Sequence, residues 1–246
     1  MANWNDPQPT RTGFGASPSL DITGSRATYD QGLRRHMLSI YNYMASGVLL
    51  SGIVALLFAN SGMAQAVFAT PLRWVIALAP LGFVLALSFG LNRMQTSTVR
   101  ALFWGFAVTM GLSLSAIFFV YTGPSIASTF FATSAAFAGL SLVGYTTKKN
   151  LTGMGSFLIM GVWGLLAAMI INMIWPSPGF GLIISFLGVL IFAGLTAYDT
   201  QRLKNEYAQV AGTEFAGKAV VMGALSLYLD FINMFQFLLQ FMGDRR

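Results

Sequence analysis

The sequence contains no cysteine and only one histidine, His36, among its 246 residues. Without cysteine there is no disulfide framework, no thiolate metal site and no thiol redox switch. With one histidine, zinc sites built on several imidazoles and most histidine-dependent nucleophilic catalysis are excluded as well. Several common classes of enzyme and metalloprotein are therefore ruled out, and no catalytic site is expected.

Charge is also scarce. Only 9% of the residues are charged, against about 25% in an average soluble domain, and no Asp or Glu occurs between Met37 and Tyr198. Hydrophobic residues make up 55% of the chain, and the mean hydropathy is +0.66. This composition excludes an ordinary soluble protein and predicts one that crosses a membrane several times. The net charge of +6 comes from cations beside apolar runs, so we expect no nucleic-acid partner.

The apolar runs divide into seven segments that are long enough to cross a bilayer. Residues 101–147 carry no charge and would form a helix of roughly 70 Å, so they must fold back, and 122–125 is the turn signal. Residues 150–198 repeat this pattern with a break at 175–179. The remaining spans are predicted at 41–60, 72–92 and 220–242. The expected fold is all-α, a bundle of seven transmembrane helices over residues 37–243.

The distribution of Lys and Arg predicts the orientation of these spans. Residues 1–36 are polar and rich in Pro and Gly, which predicts a disordered tail. Cations occur in this tail and in every second loop, and they are absent from the loops between: 61–71, 122–125 and 175–179. The positive-inside rule then places the N-terminus in the cytoplasm. Seven spans leave Arg245 and Arg246 outside, against that rule, so a re-entrant last segment remains an alternative.

One acid, Asp230, lies inside the last apolar segment. Intramembrane carboxylates are costly and usually face the bundle interior or a water-filled cavity. Other polar residues lie on both sides of Asp230 at helical spacing and predict one polar face: Ser226, Asn233, Gln236 and Gln240. This face could line a pore, or it could hold helices together by hydrogen bonds.

A second acid, Asp199, ends the sixth predicted span. Arg202 follows three residues later, so an exposed ion pair at the membrane boundary is one interpretation. The other is a contact with Asp230, because the two acids would differ in membrane depth by only about 4 Å. Two carboxyl groups in contact cannot both ionise cheaply and share a proton. The pair would then act as a pH sensor.

Three motifs resemble the Bax inhibitor family, also called the transmembrane Bax-inhibitor-motif family, in its bacterial branch. They are Gly144-Tyr-Thr-Thr-Lys-Lys149, Thr196-Ala-Tyr-Asp-Thr-Gln201 and Leu225-Ser-Leu-Tyr-Leu-Asp-Phe-Ile-Asn233. They occur in the family's order on the expected spans. The resemblance covers about residues 33–243.

The resemblance implies a seven-helix protein of the bacterial inner membrane that passively leaks calcium and closes by a pH-sensitive aspartate pair. Asp199 and Asp230 match that pair and would hold calcium weakly during passage, and Arg93 most nearly matches the family's latch arginine. No soluble cofactor is implied. The expected partners are the lipid bilayer, the calcium ion and other membrane proteins. Many relatives carry an acid where this chain has Asn150. Some also carry an acid within the second helix, where this chain has none, which puts any second salt-bridge latch in doubt.

Three other functions use similar residues. A di-aspartyl intramembrane protease needs Gly-x-Gly-Asp, but Leu227 and Leu229 stand at the glycine positions, so enzyme activity is not expected. A proton-coupled transporter of a small solute would use the acids as relays. A non-transporting protein that modulates a membrane protease or a stress response would carry no flux, so neither acid would have a role in transport.

Overall fold

The computed structural model describes residues 22–246, and within that part of the chain regular structure is entirely helical. Nine helices follow one another: α1 (Ile22–Asn60), α2 (Met63–Phe68), α3 (Leu72–Gly90), α4 (Thr96–Leu114), α5 (Ile117–Val120), α6 (Gly123–Thr146), α7 (Thr152–Ile174), α8 (Pro178–Val210) and α9 (Ala216–Met242). The turn signals read from the sequence coincide with helix starts, because Gly123 begins α6 and Pro178 begins α8. A proline costs no backbone hydrogen bond in the first turn of a helix.

Seven helical segments are long and apolar enough to cross a bilayer. Four of them are single helices with little beyond the span: α3, α6, α7 and α9. Helices α4 and α5 together form the span Thr96–Val120, and α1 and α8 extend beyond one membrane thickness. Their outer faces carry large exposed apolar side chains such as Phe89, Trp163 and Met173. Lipid solvates such a surface in place of a protein core. The predicted seven-helix membrane bundle is confirmed.

Helix α9 is the most buried span and forms the centre of the bundle. It packs against α1, α4, α6 and α8. Tyr228 on α9 is fully buried, and its hydroxyl group shares a hydrogen bond of 2.6 Å with Ser51 of α1. Ser51 also donates to the Ala107 carbonyl of α4, at 2.6 Å. This buried network joins three helices and gives each polar atom a partner, as an apolar environment requires.

The structure differs from the prediction at the N-terminal side. Residues 22–36 were predicted to be disordered, but they belong to α1, whereas residues 1–21 of the predicted tail lie outside the described part of the chain. Leu33 and His36 are buried, and the His36 ring lies 5.2 Å from that of Tyr207. The physical reason is tertiary: α8 continues to Val210 and gives this part of α1 a surface to pack on.

The C-terminus shows that the last segment crosses the bundle completely. The Thr122 amide donates to the Asp244 carbonyl at 3.1 Å, and the Arg246 amide donates to the Val120 carbonyl at 2.9 Å. Because residues 120–122 join α5 to α6, the chain ends beside that turn. The re-entrant alternative for the last segment is therefore wrong.

The two ends of the bundle differ in charge. At one end, which we call the basic end, the Lys218 ammonium group donates to the Leu91 carbonyl, and Gln201 donates to the Lys149 carbonyl. The loops 91–95, 147–151 and 211–215 thus lie together there. The opposite end, which we call the C-terminal end, carries the turns near residues 122 and 177 beside residues 243–246.

Because the chain has no cysteine, single-cysteine variants test the orientation directly. We expect a membrane-impermeant thiol reagent to label Arg246→Cys in intact cells and to leave Lys148→Cys unlabelled until the membrane is opened, because clustered cations favour the cytoplasm. The cysteine-free parent gives the background. If only Lys148→Cys were labelled in intact cells, the orientation would be the opposite of the one expected here.

Candidate functional site

The two acids singled out from the sequence lie on neighbouring helices in the bundle interior. Asp199 on α8 is 6% exposed and Asp230 on α9 is 5% exposed. Glycines allow these helices to approach closely: a Cβ atom at Gly223 would lie 2.8 Å from Leu203, and one at Gly188 would lie 2.5 Å from Phe237. This close packing brings Asp230 within electrostatic reach of Asp199.

Asp199 belongs to a small cluster that bridges α8 and α9. The Ser226 hydroxyl donates to Asp199 Oδ2 at 2.5 Å, and Arg202 Nη2 lies 3.3 Å from the same oxygen. Arg202 Nη2 also donates to Ser226 Oγ at 2.9 Å. The carboxyl group is buried while 43% of the arginine side chain is exposed, so the pair extends from the bundle interior towards solvent. The ion pair between Asp199 and Arg202 that the sequence spacing suggested does form, but its acid is buried and not exposed.

The Asp230 carboxyl group has fewer hydrogen-bond and ion-pair partners than the Asp199 carboxyl group in the described part of the chain. Its Oδ2 atom is buried and has no hydrogen-bond partner among residues 22–246. Arg202 lies within electrostatic reach but forms no ion pair with it in this part of the chain. Burial of a polar oxygen without a partner is costly. Such an atom is a natural place for a shared proton, a water molecule or a cation.

The candidate latch Arg93 does not reach this site in the described conformation. Arg93 is exposed in the turn after α3, and no ion pair joins it to Asp199 or Asp230 within residues 22–246. Arg202 forms the ion pair with Asp199 instead. The physical reason is that Arg202 lies one turn beyond Asp199 on the same helix, where it needs no movement of another helix to reach the carboxyl group.

The polar face predicted on α9 lines two separate cavities. Ser226 lines a cavity of about 620 Å³ at the basic end, whose wall also carries Arg202 and Glu206. The three amides of the face line a second cavity, of about 360 Å³, towards the C-terminal end: Asn233, Gln236 and Gln240. One Asn233 donor is already used, because its Nδ2 donates to the Leu229 carbonyl at 2.8 Å.

A packed barrier separates these two cavities. Residues 227–232 of α9 line neither of them, and Asp230 lies within that stretch. On α8 the corresponding stretch is 193–197, directly before Tyr198 and Asp199. Asn233 lies seven helical positions after Ser226, a distance of ~10 Å along the helix axis. Asp230 therefore lies within the short packed segment between the two cavities, and Asp199 lies at its edge on the side of the basic end.

Sequence reasoning missed the residues that hold the basic end of α8 in place. Gln201 accepts from the Leu151 amide and donates to the Lys149 carbonyl, both at 2.8 Å. Lys204 donates to the Tyr145 carbonyl at 2.8 Å. Gln201 belongs to a recognised motif, but nothing in the linear pattern indicated that its partners are backbone groups some 50 residues earlier.

The described residues offer limited ligands for a metal ion. Within residues 22–246 no three His, Asp or Glu side chains lie together in an arrangement that could hold one. Calcium takes six to eight oxygen ligands. Asp199 and Asp230 with the Ser226 hydroxyl supply only part of that shell, so water would complete the coordination.

Comparison with known proteins places the chain in a family. The sequence model of the family described as inhibitor of apoptosis-promoting Bax1 matches residues 33–246. A protein of Caulobacter vibrioides is 46% identical over 245 residues, which cover 94% of this chain and 97% of its own. A Rickettsia prowazekii protein is 42% identical, with 93% and 97% covered.

The inner membrane protein YbhL of Escherichia coli is 41% identical over 219 residues, which cover 87% of this chain and 94% of its own. Together with the seven apolar helices, this relative supports a multi-pass protein of the inner membrane. The match from residue 33 onward and the near full-length relatives show that the chain belongs to the Bax inhibitor family of membrane proteins.

Proposed function

We propose that this protein is a pH-sensitive passive leak for calcium, gated by Asp199 and Asp230. The observation that carries the proposal is the buried Asp230 carboxyl group, one oxygen of which has no partner in the described part of the chain. It lies in the packed segment between a cavity at the basic end and a cavity lined by three amides nearer the C-terminal end. Intramembrane acids of this kind commonly mark ion or proton pathways.

The gate follows from the electrostatics of two buried acids. At low pH a proton shared by Asp199 and Asp230 removes the repulsion between the carboxyl groups and favours the closed barrier. As pH rises the proton is lost, and like-charge repulsion favours separation of α8 and α9. Arg202 offsets part of the charge on Asp199, to which it is paired. Flux should therefore increase with pH.

The ligand set suits passage better than storage. Two carboxylates and one hydroxyl group leave several positions of a calcium ion hydrated. Conduction requires binding that is favourable enough for an ion to enter and weak enough for it to leave. The half-buried Glu206 side chain lines the cavity at the basic end, where its carboxylate would attract cations. No resident cofactor and no catalytic step form part of this proposal.

Purified protein in liposomes tests this function. With calcium on one side and a fluorescent indicator on the other, we expect downhill calcium movement that increases from mildly acidic to mildly alkaline pH and needs no co-substrate. Liposomes without protein give the background. Proton movement that depends on an added solute would favour a transporter, and absence of both fluxes would favour an interaction protein. Either result would overturn the proposal that the protein is a calcium leak.

A further inference from the structure

A groove of about 850 Å³ runs along the bundle between α1 and α6. The two helices scarcely touch each other, and Phe231 of α9 forms part of the groove floor. The walls are almost entirely apolar. Small side chains, Ala45 on α1 and Ala138 on α6, leave the space open. Both of these alanines are exposed, so the groove opens sideways, where the surrounding medium is lipid.

The groove has the length of one bilayer leaflet. Arg34 and Tyr145 line one end, and Leu49 and Phe130 line the other. Leu49 lies fifteen positions after Arg34 on α1, and Tyr145 lies fifteen positions after Phe130 on α6, which corresponds to ~22 Å of helix in each case. Half of a hydrocarbon core is about 15 Å thick. The groove is thus long enough for an acyl chain and for the start of its headgroup.

Positive charge is concentrated at one end of the groove only. Arg34 is exposed there and forms no ion pair within residues 22–246. The Lys204 ammonium group lies 5.0 Å from the centre of the Tyr145 ring, which is part of the groove wall. The nearest acid along α1 is Asp30, one turn before Arg34 and exposed. Two cations therefore lie at the level where a lipid phosphate would be.

We propose that this groove binds one anionic phospholipid from the leaflet at the basic end. An acyl chain fills the apolar groove, and Arg34 and Lys204 hold the phosphate by charge-assisted hydrogen bonds. A chain that fills the groove gains dispersion contacts on both walls, which ordinary boundary lipid on a convex surface does not make. The proposal is independent of the leak, since it rests on a different cavity.

Binding at this groove would also support the acid pair. Phe231 in the floor directly follows Asp230, and Ser141 in the wall accepts a hydrogen bond from Thr200, next to Asp199. An acyl chain against these residues would stabilise the packing of α6 on α8 and α9. The bound lipid therefore becomes part of the bundle that positions both carboxyl groups.

Native mass spectrometry of the full chain in detergent tests the proposal. Palmitoyl-oleoyl phosphatidylglycerol is titrated as the anionic probe and the matching phosphatidylcholine as the neutral one. We expect one phosphatidylglycerol to bind in preference to phosphatidylcholine. Arg34→Gln and Lys204→Gln should each weaken that binding about fivefold, the effect of one cation near a lipid headgroup. Ala138→Trp should fill the groove and reduce retention of both lipids.

Two variants serve as matched controls. Arg93→Gln removes another exposed cation at the basic end, and Ala77→Trp enlarges another exposed alanine, on α3. Both should leave lipid binding unchanged. Three results would overturn the proposal. The two lipids could bind equally, the Arg34→Gln/Lys204→Gln double variant could bind phosphatidylglycerol as well as the wild type does, or a second copy of the chain could be retained in place of lipid. If Ala138→Trp fails to fold, the Arg34→Gln and Lys204→Gln variants alone decide whether the groove binds an anionic lipid.

Discussion

Calcium flux through the Asp230→Asn variant is expected to fall about fivefold or more at mildly alkaline pH and to lose its pH dependence. One carboxylate contributes attraction of ~1 kcal/mol per unit charge at 4 Å even in water, and more in a partly buried site. Asn keeps the size of the side chain but carries no charge, so it neither repels Asp199 nor shares a titrating proton. The measurement is the liposome flux assay repeated across pH.

The controls separate the gate from general effects of charge. Asp30→Asn removes an exposed acid near the start of α1 and should leave both flux and its pH profile unchanged. Arg202→Gln removes the cation that offsets the Asp199 charge, so deprotonation becomes harder and opening should need a higher pH. Wild-type flux and an unchanged profile in Asp230→Asn would exclude the acid pair as the gate.

Gly144→Ala is expected to destabilise the bundle by roughly 1–3 kcal/mol, the usual cost of overpacking a close interface. A Cβ atom at this position would collide with the Ala197 carbonyl oxygen and lie 2.9 Å from its carbonyl carbon. Backbone atoms cannot rotate away as a side chain can, so α6 must move from α8. Thermal unfolding of the purified protein in detergent measures the effect.

The matched control is on the same helix. A Cβ atom at Gly139 would meet nothing within 4 Å, so Gly139→Ala should gain stability by up to about 1 kcal/mol, since alanine favours helix over glycine. Because Ala197 lies two residues before Asp199, Gly144→Ala should also change calcium flux, whereas Gly139→Ala should not. Equal melting temperatures for the two variants would contradict the close α6–α8 contact.

The spans could be predicted because the bilayer imposes a length and an apolar composition on each crossing. The predicted turn at 122–125 corresponds to the junction before α6, and the break at 175–179 corresponds to the junction before α8. The position of the acids was predictable for a related reason. Asp199 and Asp230 are rare charges in apolar helices, so they stand out in the sequence, and the structure buries both of them.

Other parts of the site depend on which helix faces meet, and the sequence left these open. The spacing of Asp199 and Arg202 already suggested their ion pair, but only the tertiary structure shows that its acid is buried and that Arg93 forms no ion pair with it within residues 22–246. The same holds for His36, which looked like part of a disordered tail. Its packing partner, Tyr207, lies on the far extension of α8.

The sequence by itself determined the membrane class and the seven apolar spans, because these properties follow from composition and from the length of each apolar run. Only the tertiary structure decided that the polar face of α9 is divided between two cavities and that a groove remains open between α1 and α6. It also decided that residues 243–246 pair with the turn before α6. These features arise from contacts between segments far apart in the chain, and a linear pattern does not record which side of a helix its neighbour will cover.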